Sequence, residues 1–193
     1  MQVKNRARLK KKKSSLYSQI MSQQLSGDFL AGIAKEYGTP VYVYHAEKIK
    51  EQYSKLTMAF QGADVRFFYA GKALTNINIL RYVKNIGCDI DCSSINEVIM
   101  ALRAGFEPSR ILYTSSNIAF SEIEAAQALG VHINIDSLSN LEKFGKKFGH
   151  SYPVGIRLRP NIMSGGNIKI STGHAKSKFG IPLEQVDEVV QVV

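Results

Sequence analysis

A chain of 193 residues, 45% hydrophobic and 21% charged, suits one ordinary globular domain, and no apolar run in it is long enough to span a bilayer. Cys88 and Cys92 stand four positions apart with no second pair and no nearby histidine, so they point to neither a disulfide framework nor a zinc site. The formal charge of +9 is concentrated in Lys4, Arg6, Arg8 and Lys10 to Lys13; taking away those seven charges leaves a balance of +2 for the rest of the chain.

The charge run therefore belongs to a tail. Residues 1–24 read as a solvated, disordered extension and not as a nucleic-acid or membrane arm, because no aromatic residue that could stack on bases is interleaved with the charges. The basic start leads into no apolar segment with a cleavage site, so no secretory signal is read and a cytoplasmic, reducing setting is expected.

Ser26 to Tyr37 predicts a short helix, with Phe29, Leu30, Ile33 and Ala34 on one face and Gly38 at its end. Val41-Tyr42-Val43-Tyr44 predicts a strand, and Ala46 to Phe60 a helix striped by Ile49, Tyr53, Leu56 and Phe60. Val65 to Tyr69 is an apolar, aromatic strand that runs straight into Gly71-Lys72, and Ile77 to Asn85 is the helix after it. The alternation then repeats. Strands are expected over Cys88 to Cys92, Arg110 to Thr114, Val131 to Ile135 and Val154 to Leu158. Helices are expected from the Ser94/Glu97 capping box to Ala104, from a second box (Ser121 with Glu124) to Leu129, and over Ser139 to Phe148. A polar stretch, Asn161 to Lys178, precedes a last helix opened by Pro182.

Five β-α units in a row, each about 20 to 25 residues long, imply parallel strands with right-handed crossovers. A doubly wound sheet and a (β/α)8 barrel both fit. No Gly-x-Gly-x-x-Gly follows the first strand. Polar residues recur instead at strand ends (Lys72, Asp91, Ser115, Asp136, Arg159), a pattern that favours a barrel mouth, with about the first five units of a (β/α)8 barrel present. Lys72 is the sharpest of them. An ammonium at the mouth of a buried strand must be solvated, paired or chemically committed, since burying it bare costs several kcal/mol. His45, His132 and His150 show no metal-ligand spacing, and Cys88 and Cys92 read as small apolar core residues.

Tyr69-Ala70-Gly71-Lys72-Ala73 resembles the lysine motif of the alanine-racemase-like, fold-type III pyridoxal-phosphate decarboxylases. Asp89-Ile90-Asp91-Cys92-Ser93-Ser94 with Glu97 is similar to that family's second strand and helix, and Asn134-Ile135-Asp136-Ser137 to its fourth strand end. Ser177-Lys178-Phe179-Gly180-Ile181, the Ser171-Thr172-Gly173-His174 loop before it, and Gly38-Thr39-Pro40-Val41-Tyr42-Val43-Tyr44 complete the set, in order. Two stretches depart from the family pattern: Arg157-Leu158-Arg159-Pro160, with Arg159 in place of an asparagine, and Ser115-Ser116-Asn117-Ile118, where Gly and Lys are usual.

The resemblance implies pyridoxal 5'-phosphate as cofactor, Lys72 as the lysine that bonds it, Asp91 and Arg157 as residues lining it, and Lys178 and His174 as interface or support residues. It also implies a small amino-acid substrate, a homodimer, a barrel domain over residues 46–193, and residues 25–45 as a helix and strand leading from a separate β-domain. Membrane and nucleic-acid partners are not expected. Within the family the motifs are most similar to the diaminopimelate decarboxylase branch, which implies conversion of meso-2,6-diaminopimelate to L-lysine. An ornithine- or arginine-type decarboxylase, or an inactive half-barrel acting through a partner chain, are the alternatives. The family's ring-stacking histidine, glycine-rich phosphate loop and pyridine-binding glutamate are expected beyond Val193. The chain is thus expected to be the N-terminal portion of a longer protein, and inactive alone.

Overall fold

The computed structural model describes residues 25–163, 172–174 and 176–193; the tail expected to be disordered lies outside them, as does Ser171. The chain divides into two units, Met1–Ala59 and Phe60–Val193. In the first, Ser26 caps helix α1 (Gly27–Tyr37), its Oγ accepting from Phe29 N at 3.2 Å, and helix α2 spans Ala46–Ala59. Val41 to Tyr44, expected as a strand, forms none. Aromatic and β-branched residues favour extended backbone, but a strand also needs a neighbour for its hydrogen bonds. Among the described residues no segment pairs with it.

In the second unit β1 (Phe68–Ala70), β2 (Asp89–Cys92), β3 (Ile111–Thr114), β4 (His132–Ile135) and β5 (Gly155–Ile156) form one parallel sheet in sequential order. The crossovers are α3 (Ile77–Asn85), α4 (Ile95–Ala104), α5 (Phe120–Ala128) and α6 (Leu138–Phe148). A doubly wound sheet would reverse its strand order at a switch point; this one advances without reversal, as a (β/α)8 barrel does.

Side-chain parity divides the sheet. Ile90, Cys92, Ile111, Tyr113, Ile133 and Ile135 are each at most 2% exposed. The helices bring Val83 of α3, Val98 and Ala101 of α4, and Ile123 and Ala126 of α5 into the same core. Burying one such large side chain is worth about 1.5–3 kcal/mol. The other parity carries half-buried Asp91, Thr114 and Asn134. Both cysteines are buried and unpaired by disulfide, and desolvation pushes the Cys92 thiol up to about 12.

Three local expectations are corrected. Val154 to Leu158 is not one strand, because the ladder changes partner at Arg157. The Arg157 N–H donates to Ile135 O at 2.9 Å, while its carbonyl accepts from Ile181 N at 2.8 Å. Strand β6 (Leu158–Arg159) then pairs in parallel with β7 (Ile181–Pro182), a sixth strand position that two-residue lengths hide from any periodicity. Pro182 accordingly closes a strand. A 3-10 turn, Leu183–Gln185, separates it from helix α7 (Val186–Val192). Finally, Ser121 does not cap α5, which starts at Phe120 after Ala119 with no side-chain cap bond. Glu124 pairs with Lys147 of α6 at 2.5 Å instead, a tertiary partner outcompeting the local one. The Ser94/Glu97 box does form, in altered shape: Ser94 Oγ accepts from Glu97 N at 3.2 Å, but the Glu97 carboxylate reaches back to Ser93 N at 2.9 Å.

No helix among the described residues is long and apolar enough to cross a membrane. At the N-terminal end of the strands Asp89 joins three elements. Its carboxylate accepts from Arg66 Nε at 2.9 Å and Nη2 at 2.6 Å, and from Arg110 Nε at 2.7 Å. The same arginines donate onward to the carbonyls of Ser109 and Cys88. Removing the one carboxylate leaves two guanidinium groups facing each other, so Asp89→Ala is expected to lower unfolding stability by about 3 kcal/mol, read by urea denaturation. An unchanged midpoint would show that the arginines are fully solvated.

Candidate active site

Lys72 stands on a 3-10 turn, Gly71–Ala73, that follows β1 directly. The turn lies hard against β2. Gly71 is buried, and a Cβ there would sit 3.1 Å from Glu97 Oε2 and 3.2 Å from the Asp91 carbonyl oxygen. Glycine is thus favoured by close approach, since a Cβ would have to push the Glu97 carboxylate and the β2 backbone aside slightly. The turn is closed by Leu74 N donating to Gly71 O at 3.1 Å and by Tyr69 Oη donating to Leu74 O at 3.2 Å. Lys72 itself is exposed, so solvation is what its ammonium obtains here.

The register pairs Ala70 with Asp91, Thr114 with Asn134 and Asn134 with Gly155. It thereby lines up polar side chains at the C-terminal ends of successive strands. A cavity of about 240 Å³ opens between them. Lys72, Asp91 and Ser93 form one wall, Thr114 and Ser116 the middle, and Arg157, Thr172, Lys178 and Phe179 the other. Arg157 and Lys178 both lie over the Phe179 ring, at 4.8 Å and 5.3 Å from its centroid, so one aromatic ring orients two cations. The turn that carries Lys178 and Phe179 is pressed onto the backbone of Arg157 and Leu158. Gly180 has φ +78°, and a Cβ there would meet the backbone of Leu158 at 3.0 Å.

Among the described residues, two buried side-chain polar atoms have no hydrogen-bond partner: Asp91 Oδ1 and Ser116 Oγ. Both belong to residues lining this cavity. Buried polar atoms without partners are rare in native proteins and commonly mark a bound group. Burial pushes the Asp91 carboxyl above the ordinary carboxylate range. The Thr114 hydroxyl and the Lys72 and Arg157 charges oppose that rise, and the Glu97 charge adds to it. A larger cavity of about 430 Å³, lined by Leu141, Phe144, Tyr152, Val154, Ile156 and Val192 among others, has no comparable cluster of charged groups. No group of three or more His, Cys, Asp or Glu able to hold a metal occurs among the described residues.

Of the residues singled out in the sequence, Lys72, Asp91, Arg157 and Lys178 are brought together. His174 is not in the cavity lining; its Nδ1 accepts from Lys176 N at 3.1 Å and its carbonyl from Ser177 N at 2.8 Å. Ser115 is buried at 4% exposure. Neither it nor Asp136 lines the cavity. Arg159 turns aside, donating to Asn161 Oδ1 at 3.2 Å and Ser177 O at 2.5 Å. Ser93, Thr114, Ser116, Thr172 and Phe179 also line the cavity and are not among those singled out. Strand parity held the signal for two of them: Ser115 shares the face of buried Tyr113, so Thr114 and Ser116 take the other. The Ser-Ser-Asn departure keeps a left-handed backbone, since Asn117 holds φ +56°, a conformation asparagine tolerates where glycine would otherwise stand.

A lysine amine, a carboxyl held partly out of water, two further cations and unfilled polar atoms make a site for an anionic, amine-reactive ligand. The chain belongs to the pyridoxal-dependent decarboxylases: residues 46–193 match the model of that family's pyridoxal binding domain. Its relatives narrow the resemblance. The diaminopimelate decarboxylase of Methanothermobacter thermautotrophicus is 39% identical over 162 residues, covering 83% of this chain and 38% of that protein. A crystal structure of diaminopimelate decarboxylase superposes with a TM-score of 0.76 at 30% identity, covering 89% of this chain and 41% of the other. The Helicobacter pylori enzyme complexed with L-lysine gives 0.70 at 30% identity, covering 82% and 41%. The chain thus spans about two fifths of the length of these relatives.

Because the folded state raises the Asp91 carboxyl, native protein holds that proton more tightly than unfolded chain does. The stability this supplies is complete below the ordinary value of 3.8 and is lost as pH rises through the raised value. Asp91→Asn removes the loss. It is expected to raise the melting temperature at neutral pH and to flatten its fall as pH rises above 3.8, measured by thermal melts from acid to neutral pH. Parallel curves for the two proteins would refute the assignment.

Proposed function

We propose that this chain carries the cofactor-bonding part of a pyridoxal 5'-phosphate-dependent decarboxylase that converts meso-2,6-diaminopimelate to L-lysine. The observation that carries the reading is the convergence of Lys72, Asp91 and Arg157 on a cavity where Asp91 Oδ1 and Ser116 Oγ lack partners. The residues present fit the cofactor. Lys72 offers the amine, Arg157 and Lys178 offer positive charge to an anionic group, and Ser93, Thr114 and Ser116 offer hydroxyls. The named relatives supply the substrate class.

When bound, pyridoxal 5'-phosphate supplies a conjugated ring that accepts the electron pair left by a departing carboxylate. The chain's own residues do the rest. Lys72 would hold the cofactor through its amine, which bonds only in its neutral form. Asp91, whose carboxyl feels the Lys72 charge, would be the carboxyl nearest in role to that amine, able to take up the proton it gives. Arg157 is fixed by two backbone hydrogen bonds and by the Phe179 ring, so its charge is positioned before any ligand enters. Lys178 and His174 act as supports: the hydrogen bonds of His174 shape the turn that presents Lys178. In this reading residues 46–193 are the barrel domain, residues 25–45 lead from a β-domain, and the working form is a cytoplasmic homodimer.

A half-barrel that works only with a partner chain is the second reading, favoured by Val190, 70% exposed on α7. Incubation with pyridoxal phosphate, borohydride reduction and mass spectrometry test both. The pyridoxyl mass is expected on Lys72 and absent in Lys72→Ala. Arg157→Ala is expected to weaken attachment about tenfold, the worth of one charge-assisted contact. Label spread evenly over surface lysines would overturn the reading. Attachment that requires an added C-terminal half would favour the second. Lysine release from meso-diaminopimelate, set against product release from ornithine and arginine, tests the substrate.

A further inference from the structure

Arg159 stands at a strand end, where polar groups were expected to face the cavity, yet it is not among the residues lining it. A guanidinium carries five N–H donors and accepts nothing, so a half-buried one must find acceptors elsewhere. Arg159 finds two. Its Nε donates to Asn161 Oδ1 at 3.2 Å, and its Nη1 donates to the carbonyl of Ser177 at 2.5 Å. Asn161, held at φ +57°, passes the connection on: its Nδ2 donates to Glu184 Oε1 at 2.5 Å, on the turn after β7. One side chain on β6 therefore joins the exit of its own strand to the approach of β7, 18 residues further along the chain.

Ser177 is the point at which that hold acts. It is buried, and each of its polar groups is committed: its N–H donates to His174 O at 2.8 Å, its Oγ accepts from Phe179 N at 3.2 Å, and its carbonyl accepts from Arg159. Further along, Ile181 N donates to Arg157 O at 2.8 Å. The chain is thus fixed at Ser177 and again at Ile181, with only Lys178, Phe179 and Gly180 between. Gly180 lies on the backbone of Leu158, where a Cβ would meet it at 3.0 Å. That leaves Lys178 and Phe179, both of which line the cavity, little freedom to turn away, because a segment tied at both ends keeps few of its backbone conformations.

The two ends differ in kind. The Ile181 bond joins backbone to backbone, which almost any residue type can supply. The Ser177 end depends on one side chain, through a charge-assisted bond about twice as strong as a neutral one. From this geometry we infer that Arg159 is a positioning residue: by holding the Ser177 carbonyl it keeps the Phe179 ring under Arg157 and Lys178, 4.8 Å and 5.3 Å from the ring centroid, and so places the two cations of that cavity wall. The asparagine usual at this place has neither the length nor the charge for that bond. The use made of the placed cations rests on the cofactor reading above; the placement does not.

The test reads the ring. Protons above an aromatic face resonate upfield, so carbon–proton correlation NMR of the full chain without cofactor reports on the Arg157 δ-methylene and the Lys178 ε-methylene. Phe179→Leu marks the positions these signals take when the ring is gone. Arg159→Met keeps an apolar stem and removes the donors, and both signals are expected to move most of the way to the Phe179→Leu positions. Arg159→Lys, which keeps a charged donor on a long stem, is expected to retain the larger part of both shifts. Signals left in place by Arg159→Met, with only a lower melting temperature, would show a structural role and overturn the inference. So would equal losses in Arg159→Met and Arg159→Lys, since the donor would then not be what holds the turn. If Arg159→Met does not fold, Arg159→Gln, a neutral side chain of shorter reach, takes its place. Borohydride labelling of Lys72 is read separately over a range of pyridoxal phosphate concentrations, and Arg159→Met is expected to raise the half-saturating concentration several-fold. Moved signals with unchanged labelling count against the cofactor reading alone; unmoved signals with weakened labelling count against this inference alone.

Discussion

The parallel register of the sheet is the constraint on which the site depends. Ala70 opposite Asp91, Thr114 opposite Asn134, and Asn134 opposite Gly155 place one polar group per strand at one level. Side chains alternate along a strand, so a slip of one residue would turn each of these groups into the apolar core and bring Cys92, Tyr113 or Ile133 to the cavity. The core face forbids that slip, because its large side chains would lose their burial together. Hydrophobic packing on one face therefore sets the chemistry on the other.

Strand β2 shows how position along a strand divides stability from function in this architecture. Asp89 and Asp91 are two residues apart on the same face. Asp89, at the N-terminal end, is neutralised by Arg66 and Arg110 and ties the strand to its neighbours. Asp91, at the C-terminal end, keeps an unpartnered oxygen and a carboxyl raised by burial. In barrels the N-terminal face is where stabilising contacts gather and the C-terminal face is where sites are built. Two like residues thus have opposite surroundings, one neutralised and one not. An unsatisfied group such as Asp91 Oδ1 is a cost the folded core can bear when a ligand is to satisfy it.

Close backbone approach is the other recurrent device. At Gly71 a turn meets β2, at Gly155 the Asn134 amide occupies the missing side chain's place, and at Gly180 the Phe179 turn lies on Leu158. Each contact lies beside a side chain that lines the cavity: Lys72, Thr114 (which accepts from Asn134), and Lys178 with Phe179. In a site assembled from several strand ends, such contacts hold groups that no single element could place within reach of one another.

Much of this was legible in the sequence because it rests on local physics. The helix from Ile77 to Asn85 was marked by apolar Ile79, Leu80 and Val83, and the structure adds the cap, Asn76, whose side chain accepts from Asn78 N and Ile79 N. The β-α alternation declared parallel strands, and Gly71-Lys72 after an aromatic strand marked the mouth. Where a non-local partner decided, local signals misled. Glu124 left its capping box for Lys147, and Val41 to Tyr44 met no neighbouring strand among the described residues. The ladder also broke at Arg157, whose two backbone bonds go to different strands. The sequence by itself determined the order and kind of most elements and the presence of an amine-bearing mouth, since periodicity, caps and turn residues act within a few positions. Only the tertiary structure decided that Thr114 and Ser116 line the cavity where Ser115 does not, that Arg157 enters while Arg159 turns aside, and that Asn134 donates to Thr114. Those outcomes follow from strand parity, register and contacts between residues about twenty or more positions apart, which no local signal contains.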